Sequence, residues 1–303
     1  MSKLLILFSN NILPIFLASG AGYLASKFLK VPPRPVSQIA FYIFSPCLIF
    51  QLLTTSELSG EDISRMAGFT ITVVLLLGAL TFLAGYLLRM ERRLLAAVIL
   101  TTMFGNAGNY GLSLNLLAFG KPALAQASLY FVTTAIMIYT IGVFIASLGN
   151  SNIWRSLLGL LKVPAIYAVI LAFLFNAFNL QLPLPLDRTV AILSDAAIPV
   201  LMVLLGIQLQ HSQWDGKVLA LSVSNLMRLV AAPALALFLG LAFGLEGAAL
   251  QAGVLESAMP TAVLMTVLAT EYDVEPSFVT SVVFITTLLS PLTITPLLAY
   301  LGA

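Results

Sequence analysis

Gly105-Asn106-Ala107-Gly108-Asn109-Tyr110-Gly111 interrupts an apolar run that extends from Leu94 to Phe119. A glycine in a helix interior costs about 1 kcal/mol relative to alanine. Three of them in so short a stretch, interleaved with two asparagines, predict an unwound segment. The surrounding run is long enough to cross a bilayer, which takes about 20 apolar residues, and the interruption falls at its centre. Irregular backbone persists at that depth only where it lines a cavity or is buried in protein. The stretch is therefore read as a transmembrane helix broken at mid-membrane.

Outward from this run the chain keeps the same character. Of its 303 residues 60% are hydrophobic and 9% charged, and the mean hydropathy is +1.05. A soluble domain carries about 25% charged residues, so this composition describes an integral membrane protein. Apolar runs bounded by charge or by Gly/Pro clusters predict ten spans, near 4–26, 36–54, 66–88, 94–119, 122–148, 163–180, 189–210, 218–243, 247–270 and 276–300. A β-barrel needs alternating segments of about 10 residues, whereas Ile71 to Leu88 is continuously apolar. The expected fold is all-α. Cys47 and His211 are the single residues of their types, which excludes a disulfide framework and any multi-Cys or multi-His metal, haem or iron–sulfur site. No cofactor is expected, apart from a sodium ion if the coupling ion is not a proton. A net charge of +2 from scattered basic residues leaves no surface for nucleic acid.

Assigning loops alternately to two sides places Lys27, Lys30, Arg34, Arg89, Arg92, Arg93, Arg155, Lys162 and Lys217 on one side. Lys3, Arg65, Lys121 and Arg188 fall on the other, and Arg228 lies inside a span. The positive-inside rule makes the first side cytoplasmic, with both termini outside a plasma or inner membrane. Met1-Ser2-Lys3 followed by apolar residues has the look of a signal peptide, but Asn10 and Asn11 interrupt its apolar core. Residues 153–161, with Ile153, Trp154, Arg155 and Leu157, read as a short interfacial helix. The expected organisation is a first five-helix unit over 1–149, a linker over 150–162 and a second unit over 163–303.

The two units are related. Sliding the chain by 153 positions superposes Phe131/Phe284, Thr133/Thr286, Thr134/Thr287, Thr140/Thr293, Ile141/Ile294, Ala146/Ala299, Leu148/Leu301 and Gly149/Gly302. Pro14/Pro164 and Pro46/Pro199 match at similar offsets. Five spans is an odd number, so the second copy is expected upside down relative to the first. Inverted repeats are characteristic of secondary transporters, whose sites lie at mid-membrane between the halves.

The second copy has its own interruption at the corresponding depth, Ala258-Met259-Pro260-Thr261. Proline removes a backbone donor and clashes with the preceding turn, so it opens or kinks the helix. After each break a half-helix begins, at about Asn109 and about Thr261, with free N–H groups and a partial positive charge that suit a carboxylate. The preceding half-helices end in carbonyls that suit a cation such as sodium. The expected substrate site is Asn106, Gly108, Asn109, Tyr110, Pro260 and Thr261, although Gly and Pro also serve simply to pack and kink membrane helices.

An ionised side chain at mid-membrane costs at least about 2.5–3.5 kcal/mol on insertion scales. Arg228 and Asp195 enter from opposite sides to comparable depth, so the pair is expected to neutralise each other, with contact to the substrate as the alternative. Glu256 lies one turn before Pro260 with no evident basic partner. It suits either a proton carrier or a sodium ligand, with the alternative of a protonated carboxyl bonded to backbone. Thr133, Thr134, Thr286 and Thr287 offer further oxygens for a coupling ion, or else bond back to their own helices. Asn10 and Asn11 are placed in an outer vestibule.

Phe104 to Gly120, FGNAGNYGLSLNLLAFG, resembles the auxin efflux carrier family, whose bacterial members include organic-acid permeases, and Ser257 to Val274, SAMPTAVLMTVLATEYDV, is similar to that family's second crossover. The resemblance covers essentially the whole chain. It implies that broken spans 4 and 9 cross, packed on a scaffold of spans 1, 2, 6 and 7 as in sodium/bile-acid symporters, and that a small organic anion is carried by an elevator-like movement. It carries Asn109 and Pro260 onto the family's crossover positions and Glu256 onto the acidic position that binds sodium in the bile-acid relatives. Ser113 departs from the family, which has Pro there, and 149–162 does not supply the long hydrophilic loop of the plant members. The expectation is a proton- or sodium-driven carrier; an anion channel and a membrane-embedded receptor are the alternatives. Oligomeric state stays open, a homodimer included. An enzyme is not expected: Tyr272-Asp273 lacks the Gly-x-Gly-Asp partner of intramembrane aspartyl proteases.

Overall fold

Lipid offers the backbone no hydrogen bonds, so apolar runs of this length can satisfy themselves only as helices. The computed structural model, which describes residues 3–55, 59–147, 164–211 and 216–303, shows that outcome. In chain order the helices are α1 (Lys3–Leu29), α2 (Pro33–Thr55), α3 (Gly60–Leu87), α4 (Arg92–Met103), α5 (Ala107–Ala146), α6 (Pro164–Ala177), α7 (Leu184–Gln210), α8 (Val218–Ala242), α9 (Gly247–Ser257), α10 (Leu264–Glu271) and α11 (Pro276–Leu301). Among the described residues the extended structure is confined to a single bridge, Gly105 with Thr261. The linker 150–162 and the interfacial helix expected at 153–161 lie outside the described residues.

Seven of these helices are long and apolar enough to cross a membrane. The others fall short for local reasons. The predicted spans 94–119 and 247–270 are each divided, giving α4 before one break and α9 and α10 around the other. α6 is a shorter apolar helix of 14 residues. α5 holds both the end of predicted span 94–119 and residues 122–146 of the predicted span 122–148, joined at Gly120 with φ 77° and ψ −166°. That backbone conformation is open essentially to glycine alone. Leu75, Leu76, Leu80 and Leu83 of α3, Ile170, Leu171 and Leu174 of α6, and Leu288, Leu289 and Leu292 of α11 are exposed. In water such faces would be aggregation sites; in a multi-span membrane protein they meet acyl chains.

Between helices, lipid supplies no hydrophobic drive, so close approach through small residues and polar bonds must hold the bundle. α1 and α7 show this most clearly. A Cβ added at Gly22 would stand 2.0 Å from the Val203 carbonyl oxygen, and one at Gly206 only 1.6 Å from that of Ser19. Ser19 Oγ donates to Met202 O at 3.0 Å, and Ser26 Oγ to Gln210 Oε1 at 3.2 Å. The contacts advance together along both helices, so α1 and α7 run parallel. α2 and α6 pair likewise, through Phe50 edge-on to Phe175 at 5.2 Å and Asn176 Nδ2 donating to Leu53 O at 2.9 Å. α1, α2, α6 and α7 thus pack as one group, while α3, α4, α5, α8, α9 and α11 pack as another.

At one end of the second group, exposed ion pairs tie the helix ends: Arg93 to Asp273 Oδ2 at 2.6 Å, and Lys217 to Glu275. A capping box of Ser59 and Asp62 starts α3.

Gly22→Ala or Gly206→Ala should destabilise the protein by about 1–3 kcal/mol, because a methyl group there overlaps backbone that cannot move aside. Gly20→Ala, where no atom lies within 4 Å of the added carbon, should be neutral or stabilising by up to about 1 kcal/mol. Thermal unfolding in detergent compares the three; equal midpoints would contradict the packing described.

Candidate functional site

The two interruptions meet. α4 ends at Met103, and Asn106 (φ −77°, ψ 60°) forms a tight turn in which the Ala107 N–H donates to Gly105 O at 2.8 Å. α5 then opens as a wide π turn over Ala107–Leu112. On the other side α9 ends at Ser257 and α10 begins at Leu264. The unwound backbones lie side by side: the Asn106 N–H donates to Pro260 O at 2.7 Å, and the Ala262 N–H to Phe104 O at 2.9 Å. Each break thus supplies hydrogen-bond partners that the other lost on leaving the helix. Thr261 pins the junction, its N–H donating to Thr286 Oγ1 at 3.2 Å and its hydroxyl to Thr101 O at 2.7 Å.

Arg228 fills the space behind this junction. A π turn over Met227–Ala231 within α8, one of five π turns among the described residues, carries it. The side chain is 1% exposed. Its Nε donates to Met259 O at 2.6 Å, Nη1 to Thr102 O at 2.8 Å, and Nη2 to Ser257 O. Thr102 O belongs to the last turn of α4, and Ser257 O to the end of α9. One guanidinium therefore bonds the carbonyl ends of both half-helices, where the partial negative charge of the helix dipole gathers. Gly105 makes room for it: a Cβ there would lie 2.7 Å from Nη2.

Glu256 lies beside the junction, fully buried. Its Oε1 accepts from Asn115 Nδ2 at 3.0 Å, while Oε2 has no partner. The carboxylate rests against Gly111, where an added Cβ would come within 2.0 Å of Oε2. Asn115 also donates to Gly111 O at 3.0 Å, so one amide braces both the carboxylate and the backbone beneath it. The Ser257 hydroxyl lies 3.2 Å from that of Tyr130.

The start of α5 also touches the α1, α2, α6, α7 group. Asn109 Nδ2 donates to Gln208 Oε1 at 2.8 Å, and Gln208 Nε2 to Ser37 Oγ at 3.3 Å. Tyr110 stands edge-on to Phe16 of α1 at 6.3 Å, with its hydroxyl toward Ser290 of α11. Phe131, stacked on Phe41 of α2, closes over Gly108. Among the described residues eight buried polar atoms have no partner, and two of them lie at this turn, Asn106 Nδ2 and Asn109 Oδ1. Orphans of this kind are rare in proteins and call for a ligand or water.

The structure thus brings Asn106, Gly108, Asn109, Tyr110, Pro260 and Thr261 to one place, with Glu256 and Thr286 beside them. Three expectations need correction. The half-helices start at Ala107 and Leu264 rather than at Asn109 and Thr261, and Thr261 has both its donors committed. Arg228 does not pair with Asp195, which is exposed on α7; backbone carbonyls are its partners, because the two helix ends converge on it. Asn11 is buried and donates to Leu7 O of its own helix, while Asn10 is exposed. Thr133 and Thr287 donate to Leu129 O and Val283 O of their own helices, whereas Thr134 Oγ1 is buried without a partner. Ser113 bonds back to Asn109 O. Sequence reasoning missed Asn115 and Gln208. The first lies four residues after Gly111, on the face that meets Glu256; nothing local marks the second.

The pattern of the membrane transport protein family matches the chain twice, over residues 7–156 and 149–298. An uncharacterized transporter of Methanothermobacter thermautotrophicus is 26% identical over 84% of this chain and 84% of its own length. A protein of Rhizobium meliloti for which malonate transport is proposed is 28% identical over 95% of this chain and 93% of its own. Auxin efflux carrier component 3a of Oryza sativa is 29% identical over 47% of this chain and 24% of its own.

Gly111→Ala should cost about 1–3 kcal/mol by driving the Glu256 carboxylate from its seat. In a Glu256→Ala background the space is already empty, so the same substitution should cost little. A double-mutant cycle read by thermal unfolding checks this; additive effects would show that the two positions do not touch.

Proposed function

This chain belongs to the membrane transport protein family, the family of the auxin efflux carriers, and from that premise we propose that it is a secondary carrier for a small organic anion. The observation that carries the reading is the meeting of two broken helices, with unpartnered Asn106 Nδ2 and Asn109 Oδ1 at the start of α5. A helix start favours negative charge. A free amide donor beside it suits a carboxylate, and the free acceptor suits a hydroxyl or a second, protonated group. The relative for which malonate transport is proposed favours a small mono- or dicarboxylate.

Alternating access follows from ten spans built as two inverted five-helix repeats. Three features support this: the family pattern matches in both halves; α1 with α7 and α6 with α2 form two parallel pairs that a two-fold axis in the membrane plane would exchange; and the breaks meet antiparallel. In this reading α1, α2, α6 and α7 are the fixed scaffold. The remaining helices carry the site past it as an elevator, and Asn109–Gln208, Tyr110–Phe16 and Phe131–Phe41 are contacts remade on each crossing. Both termini lie outside the plasma or inner membrane, as the distribution of Lys and Arg directs.

Glu256 is the coupling group. Ionised, it offsets the charge of Arg228; protonated, it leaves the crossing net positive and receptive to an anion. A proton taken up at Oε2 therefore precedes the anion and travels with it. Sodium does not fit at the carbonyl ends of α4 and α9, because the Arg228 guanidinium already bonds them.

Counterflow of labelled malonate and other small organic acids in proteoliposomes tests the reading. Carrier behaviour shows as trans-stimulation; flux indifferent to internal substrate would make the protein a channel. Asn109→Ala should abolish uptake while the protein stays folded, and Glu256→Gln should leave exchange but remove the response to an imposed pH gradient. Uptake intact in Asn109→Ala would sink the site assignment.

A further inference from the structure

We propose that Arg228 is a tethered cation, standing where a carrier of this architecture would otherwise need a dissolved one, so that the crossing assembles without any alkali ion. The argument is geometric. Two half-helices end at the same place, each with carbonyls that have lost their intrahelical donors. In the middle of a membrane no water replaces those donors. Thr102 O, Ser257 O and Met259 O converge from two chain segments and all accept from one guanidinium. An oxygen cluster drawn from two helix ends is also what a bare monovalent cation requires.

Arginine suits the role better than lysine. Its planar fork presents donors in several fixed directions at once, whereas an ammonium is a compact point charge. The site is built to that shape: the π turn in α8 sets the side chain's origin, and Gly105 leaves the guanidinium a flat wall. Arg228 positions both breaks without touching the orphaned atoms of Asn106 and Asn109, so its role is to hold the anion site open and add a permanent positive charge beside it. The transport half of this inference rests on the carrier reading; the structural half does not.

The experiment has two halves accordingly. Thermal unfolding of the purified wild-type protein is compared in sodium, potassium and N-methylglucamine chloride, and the midpoints should coincide. Arg228→Ala should unfold at lower temperature, and low millimolar guanidinium chloride should raise its midpoint by roughly 3 °C while equimolar urea does nothing. A wild-type midpoint that falls when sodium is withdrawn would overturn the proposal, as would guanidinium and urea acting alike on the variant. The wild-type comparison decides even if the alanine variant does not fold. In proteoliposomes, wild-type uptake should be unchanged without sodium. Arg228→Ala should be slower by about tenfold or more, the loss expected when a charged hydrogen-bond partner is removed, and external guanidinium should restore part of it. Rescue in unfolding with no organic anion transported would refute the carrier reading and leave this one standing; uptake without rescue would do the reverse.

Discussion

Backbone carbonyls buried inside a membrane protein have nothing to bond to except the protein itself, and in this molecule two helix ends place theirs at the same point. The Arg228 guanidinium answers that demand. Taking an arginine out of water is expensive, and a set of carbonyls at the negative ends of two helices is among the few environments that can offset it. The cation needs the carbonyls as much as they need it. From that mutual requirement follow the packing of α8 against α4 and α9, the bareness of Gly105, and the bridge between Gly105 and Thr261.

The opposite ends of the breaks have a different fate. At α10 the donors of Thr261 and Ala262 are consumed by Thr286 and Phe104. At α5 the π turn over Ala107–Leu112 leaves Asn106 and Asn109 each with a buried polar atom unmatched. The crossing is thus asymmetric despite the duplicated chain, with a sealed face toward α10 and an unsatisfied one toward α7. A ligand that completes the second face gains what the protein has left unmade. Asn109 also bonds Gln208, so this face adjoins the contact between the two helix groups.

Glu256 belongs to the same economy of space. Gly111 gives it room, Asn115 steadies one oxygen, and the other remains free. A half-satisfied buried carboxyl is a poor structural element.

The sequence by itself determined the broad outline. Hydropathy requires helices in lipid; Gly105 to Gly111 and Pro260 require that two of them break; and the shared offset between halves matches those breaks in depth. These are local properties, set by backbone entropy, by a missing N–H and by transfer energies, and they act wherever the chain goes. What the tertiary structure decided is who meets whom. Arg228 and Asp195 were equally plausible partners by depth alone, because one sequence gives position along a helix axis but not rotation about it or the identity of its neighbour. Gln208 gave no local sign for the same reason: its role exists only once α7 lies against the start of α5. The exact beginnings of α5 and α10 were likewise decided by pairing across the junction, where Pro260 O and Phe104 O accept the donors that local propensity would have assigned to a helix turn.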